Sequence, residues 1–423
     1  MSRSVADVLA VTGVGCISGL GLGVDAFERA LFDGESAIAP VTAFDTRRAR
    51  SHVAGQILDF DPAAFIPAGK LRRIDRVGRL AVASCRLALE HAGLASSTGP
   101  PTAAAPAAPV ANADRVGVAI GTATAGVHSL VDYLDRLVSQ GPTGASALDF
   151  SNTVGNAAAS LCGIEFGLRG PNVTLSYKEA SALSAVTYAA MALDAGRADA
   201  MVTGAVDDFE ALFFAAHDQF GVLARDAGAG EASRPFDRRR NGFVLGNGAF
   251  LLVLERAEAA AARGAARLGS VAGLAATASP CRLNEWPSNP AQMIRCMRDA
   301  LAEAGVAPRD VSVVFASANS TRQLDQVEAE ALGEVFGAAG VPVVALKGAL
   351  GESSAAGAAS LVAALLCLKR GAIPPTVGFE EAEADCPVDI GTRARPLMPR
   401  PAHAALVNSF ASGGANFSAV VRA

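Results

Sequence analysis

Residues 169–182 read RGPNVTLSYKEASA, and the reading of this stretch decides the fold. Arg169-Gly170-Pro171-Asn172 is a turn, built from the residue types that bend a chain. Val173 to Leu175 is a short strand. After the polar Ser176 to Glu179, Ala180 to Ala195 is an Ala-rich helix, and Ala198 to Gly204 is the next strand. Two uncharged strands joined through a helix form a βαβ unit, which requires a parallel pair covered by helix.

The same alternation extends outward on both sides. Towards the N-terminus lie a strand at Val8 to Val14, a glycine-rich turn through Gly19, Gly21 and Gly23, and a helix from Asp25 to Phe32. Leu71 to Ala92 reads as one long helix ending at Gly93. Val116 to Ile120 reads as a buried strand entering the turn GTATAG at 121–126, and Ser151 to Phe166 as a helix. Towards the C-terminus, Gly242 to Glu255 reads as a strand hairpin interrupted by Gly246 and Gly248. Helices are expected at Asn289 to Ala304, Asp325 to Phe336 and Ala355 to Lys369. Strands are expected at Val311 to Ala316, Val341 to Leu346, His403 to Ser409 and Asn416 to Val421. Strands alternating with helices, the central ones without charges, predict an α/β protein with a parallel sheet covered on both faces.

Composition sets limits. A chain of 423 residues with 51% hydrophobic content can bury a large core in two domains or one duplicated unit. A net charge of −5 argues against a nucleic-acid partner. Arg72, Arg73, Arg76 and Arg79 could form a local basic patch for an acidic carrier protein, or simply a solvated helix face. Seven single, widely spaced cysteines without a C-x-x-C suggest reduced thiols in a cytoplasmic protein and no zinc site. The start lacks a signal peptide, and Ser360 to Leu368 is too short to span a bilayer, so no membrane insertion is expected. Residues 96–113 are Pro/Ala-rich and read as a flexible surface insert.

Several segments carry a resemblance: VTGVGCISGLG at 11–21, RRIDRVGRLA at 72–81, RGPNVTLSYKEASA at 169–182, RPFDRRRNGFVLGNGAFLLVLE at 234–255, LKGALGESSAAGA at 346–358, GAIPPTVG at 371–378 and LVNSFASGGANFSAVVR at 406–422. Jointly and in order they resemble the ketoacyl synthases of the thiolase fold. The resemblance implies a duplicated α/β unit in a five-layer αβαβα body, with halves at 1–258 and 259–423, and it implies dimers. It also implies substrates presented on the phosphopantetheine of an acyl carrier protein or on coenzyme A, with no tightly bound cofactor or metal.

The family condenses acyl units with a Cys nucleophile at a helix N-terminus, two His residues, a supporting Lys and a Phe gate. The nucleophile motif falls on Tyr177-Lys178-Glu179-Ala180, so the nucleophile position is Glu179. The first His position is Ser317, in the stretch Phe315 to Asp325. The second is Glu352, five residues after a retained Lys347, and the gate Phe becomes Ser412. The five histidines, His52, His91, His128, His217 and His403, fall at no motif position. Condensation by this chain alone is therefore not expected: a carboxylate holds no stable thioester.

Chain-length factors resemble this pattern. They keep the fold, lose the Cys and His residues and pair with a competent ketosynthase. Glu179 departs from the Gln common there. Two other readings stay open. Glu179, Lys347 and Glu352 could form a repurposed pocket with hydrolase or acyl-transferase chemistry, or remain as a charge-balanced remnant. The chain could also be a structural homodimer. Tyr177, Phe410, Ser412 and Trp286 are candidate pocket or gate residues, with Trp286 either at an entrance or covering a loop. Arg234, Asp237 and Arg238 are expected to lock a turn by ion pairing, and Asn408 and Asn416 to hold the C-terminal glycine-rich loop.

Overall fold

The computed structural model describes residues 9–96, 110–337, 340–384, 386–398 and 400–423. Most of the expected insert, 97–109, lies outside the described residues.

Eleven strands run through the main sheet system: β1 (Leu9–Ser18), β2 (Val116–Gly121), β3 (Asn172–Leu175), β4 (Ala200–Asp207), β5 (Gly248–Arg256), β6 (Gly269–Ala278), β7 (Val311–Phe315), β8 (Pro342–Val344), β9 (Asp389–Ile390), β10 (Ala404–Phe410) and β11 (Ala415–Arg422). A twelfth, Gly21–Leu22, pairs with β1. The order is β9-β8-β7-β10-β11-β6-β1-β5-β4-β2-β3. The first five strands lie as β3-β2-β4-β5-β1. The strands β6, β7, β8, β10 and β11 repeat that arrangement as β8-β7-β10-β11-β6. In each half four strands run one way and one, β5 or β11, runs against them. The parallel sheet expected from the alternation is thus a mixed one. Strand β11 follows β10 across a short turn, a connection that needs no crossover helix. The halves join where β1 pairs with β6, Leu9 opposite Val271 and Val11 opposite Gly269.

Nine helices matter for the packing: α1 (Val24–Asp33), α2 (Arg76–His91), α3 (Val127–Gln140), α4 (Ala157–Phe166), α5 (Ser181–Asp194), α6 (Ala211–Phe220), α7 (Ala291–Ala304), α8 (Arg322–Phe336) and α9 (Ala356–Arg370). The side chains divide into layers. Val116, Val118 and Ile120 of β2 pack outward on α2 and α4. Val311 and Val314 of β7 pack outward on α7 and α8. Between the two halves of the sheet lie α5 and α9, sharing one core with Met201, Phe250, Phe315 and Val407. This is an αβαβα stack. Helix α9 is buried at every residue from Ala356 to Leu368 because it is covered on both sides. Its Gly357 comes within 3.3 Å of Ala182 on α5, measured from an added Cβ, so small residues set the closeness of this middle layer.

Local chemistry moves several boundaries. The expected helix Leu71 to Ala92 is two pieces, Ala68–Leu71 and α2. Asp75 breaks it by accepting the Gly78 amide at 2.8 Å as an N-cap. The expected Ser151 to Phe166 helix begins only at Ala157, after a turn through Gly155 and Asn156. The hairpin expected at 242–255 is one strand, β5. Before it, Phe243, Leu245 and Gly246 make isolated bridges to Leu223, Glu352 and Gly55. Asp237 pairs with Arg239 at 2.8 Å, whereas Arg238 pairs with Glu381 and Arg234 donates to the carbonyls of Ala229 and Gly230. Asn416 holds the glycine-rich loop through Ser279, while Asn408 instead donates to Glu328. Among the described residues no helix is long and apolar enough to cross a membrane.

Candidate functional site

Glu179 sits in a single turn of 3-10 helix, Lys178–Ala180, between β3 and the start of α5. Lys178 takes φ +50°, which swings the turn so that both side chains reach a cavity of about 990 Å³. Ser181 fixes the turn by donating to the Lys178 carbonyl and accepting the Tyr177 amide. The Ser412 amide and hydroxyl donate to the Glu179 carboxylate at 3.2 and 3.1 Å. Ser409 donates to the Glu179 carbonyl at 3.0 Å. Glu179 is deep in the fold but keeps access to solvent through the cavity. Burial, then repulsion from Glu352, push its carboxyl up to about 7, against the pull of its own backbone, Lys347 and Ser412.

Lys347 and Glu352 stand at opposite ends of a tight turn beside β8. Lys347 Nζ lies 2.9 Å from Glu352 Oε2, and Asn319 donates to the same oxygen at 2.8 Å. Glu352 Oε1 has no partner. Glu352 and Glu179 both line the cavity, and Lys347 acts on both carboxylates. The fold therefore brings together Glu179, Lys347, Glu352 and Ser412.

Ser317 is placed elsewhere. Its hydroxyl accepts the Phe410 amide at 2.9 Å and donates to the Phe410 carbonyl, and its own amide donates to Glu328. It serves the backbone and is not among the cavity-lining residues. Phe410 is fully buried in the core of the C-terminal half, which corrects its expected place at a gate. Tyr177 is half exposed, with its ring 5.6 Å from Phe417, and likewise does not line the cavity. Trp286 does line it, and its carbonyl accepts from Gln323. The arginine patch divides. Arg72 and Arg73 are exposed, but Arg76 pairs with Asp208 at 3.1 Å and Arg79 donates to the carbonyls of Ile74 and Leu71.

Sequence reasoning missed three features. Glu328 is fully buried behind Lys347, accepts from Ser317 and Asn408, and is pushed up to about 7 by burial. Asp325, used only as an alignment anchor, accepts the amides of Phe236, Asn319 and Ser320 and is raised by burial to about 6. The cavity wall is aromatic, with Phe209, Phe213, His217, Phe220 and Phe243. The Phe-rich sequence DDFEALFFAAHDQF at 207–220 carried that last signal.

Among the described residues, no group of three or more His, Cys, Asp or Glu could hold a metal ion.

Comparisons with known proteins agree with this geometry. Residues 6–260 match the family Beta-ketoacyl synthase, N-terminal domain, and residues 268–380 match Beta-ketoacyl synthase, C-terminal domain. The chain is 30% identical over 419 residues to the 3-oxoacyl-[acyl-carrier-protein] synthase 2 of Coxiella burnetii, covering 97% of each. It is 33% identical to the tetracenomycin polyketide synthase ketoacyl synthase beta subunit of Streptomyces glaucescens, again covering 97% of each. The solved ishigamide ketosynthase/chain length factor superposes with a TM-score of 0.88 at 28% identity, covering 99% of each chain. The duplicated sheet, the turn presenting residue 179 and full-length similarity to both kinds of relative converge: this chain belongs to the beta-ketoacyl synthase family.

Proposed function

We propose that this chain is a non-condensing ketosynthase-like subunit of the chain-length-factor kind, which pairs with an active ketosynthase and helps shape the acyl cavity in polyketide or fatty acid biosynthesis. The observation that carries the reading is the Glu179 carboxyl, held by Ser412 at the place where the family carries its thiol. A carboxylate there accepts amides as a thiolate would, so the fold survives the exchange, but an acyl anhydride would be too reactive to wait for a second substrate. Ser317 and Glu352 supply no imidazole; Ser317 is bound to the Phe410 backbone and Glu352 Oε2 to Lys347. Substrates would arrive on the phosphopantetheine of an acyl carrier protein.

Pairing has a surface to use. Strand β3 ends the sheet, with no partner on its outer side among the described residues, and Ile164 and Met191 on the neighbouring α4 and α5 are exposed. An open strand edge beside apolar side chains favours covering by another chain.

The test is coexpression with the ketosynthase encoded nearest to it, one partner tagged, followed by intact-complex mass. A one-to-one heterodimer is expected. A stable homodimer that excludes the synthase would overturn the reading and return attention to hydrolase or acyl-transferase chemistry at Glu179, Lys347 and Glu352.

A further inference from the structure

The cavity is chemically uneven. Its walls are aromatic, with Phe209, Phe213, Phe243 and Trp286, whereas its inner end carries the carboxyl groups of Glu179 and Glu352. Lys347 is the cation set against both, and it is engaged by Glu352. Lys178 is a second cation of the lining, and its ammonium donates to Asn284 and to Ser412, the residue that holds Glu179. Three lining residues also hold buried oxygens without partners: Glu352 Oε1, Ser354 Oγ and Asn241 Oδ1. Two of the three can only accept a hydrogen bond. Unpaired buried acceptors are costly, and a donor that meets them recovers that cost.

Above about pH 7, where Glu179 is ionised and Lys347 stands against two carboxylates, an anionic group such as the free carboxylate of a malonyl unit meets repulsion at this end. An ammonium matches it: three donors, no acceptor and a positive charge, with aromatic faces around it that also attract cations. Arg225 and Arg322 also line the cavity, and Arg322 is paired with Glu383 at 3.5 Å. We propose that the cavity takes an amphiphilic ligand, an aryl or acyl chain that ends in an amine, with the amine directed to Glu179 and Glu352. This rests on the reading of Glu179 as a non-nucleophile.

The probes are three molecules of matched shape: phenethylamine, 2-phenylethanol and 3-phenylpropanoate. Each is titrated calorimetrically into the full-length protein, together with its partner synthase if the two copurify. Phenethylamine is expected to bind about tenfold more tightly than the alcohol, the scale of one partly desolvated charge pair. The carboxylate is expected to bind most weakly. Glu352→Gln should lower amine affinity and leave the alcohol unchanged. Glu179→Gln, which keeps an acceptor for Ser412, serves the same purpose if the first variant does not fold. Equal binding of all three, preferred binding of the carboxylate, absence of amine binding, or an amine affinity indifferent to both variants would each overturn the proposal. Pairing is read separately: a chain that copurifies with a synthase but prefers the carboxylate sinks the amine inference alone.

Discussion

Glu179, which opens to the cavity, and the buried Glu352, Glu328 and Asp325 set four carboxyls around two cations, Lys347 and Arg240. The imbalance is visible in protonation. Glu328 rises from an ordinary 4.5 to about 7, so between those values the folded state keeps a proton that the unfolded chain has lost. Stability therefore falls as pH rises through that window. Glu328→Gln keeps an acceptor for Ser317 and Asn408 and removes the charge. It is expected to melt higher than the parent at pH 8, by about 1–3 kcal/mol of stability, and equally at pH 4.5; melting curves across pH check it. Lys347→Met strands Glu352 and should cost roughly 3–5 kcal/mol in urea unfolding, much of which Lys347→Met with Glu352→Leu recovers. Glu179→Cys should yield no condensation product from acyl and malonyl carrier thioesters by mass spectrometry, because Ser317 stays bound to the Phe410 backbone, Glu352 is paired with Lys347, and neither brings an imidazole to the new thiol. Glu179, Lys347 and Glu352 were legible as motif positions. The inward burial of Phe410 was not, since the alternation of a strand does not say which face meets a cavity.

Helix and strand meet closely where the opening motif is rich in glycine. A Cβ on Gly15 would stand 2.0 Å from the Ser84 carbonyl, and one on Gly13 2.2 Å from the Ala88 carbonyl. Ser84 and Ala88 lie one turn apart on α2, so the two glycines form the bed on which that helix rests against β1. Gly15→Ala must push α2 away and is expected to cost about 2–4 kcal/mol or to abolish soluble expression, as read by denaturant unfolding. Strand and helix types were legible from periodicity throughout. Boundaries moved where a side chain outbid the pattern, as Asp75 did by capping α2 within an otherwise helical run. The mixed sheet was hidden because a strand buried on both faces has the same composition whether its neighbour runs parallel or antiparallel.

Across the whole molecule, burial ranks the elements. Helix α9 is enclosed between the two halves of the sheet, while α3 buries only Ser129. Amide exchange is expected to be slowest in α9 and fastest among the long helices in α3, and β3 should gain protection when the synthase partner binds. Sequence by itself determined the family and the alternation of elements, because these reside in residue identity and order, and it is the source of the expectation that Glu179, Ser317 and Glu352 stand at the Cys-His-His positions. It could not separate Arg72 and Arg73, which stay on the surface, from Arg76 and Arg79, which are spent on Asp208 and on backbone carbonyls. Only the tertiary structure decided that Glu179 and Glu352 share a cavity while Ser317 does not, and that Glu328 stands behind Lys347. Those relations depend on packing between separate elements, Glu179 and Glu352 lying more than a hundred positions apart, and the charge state of each follows from what packing brings against it.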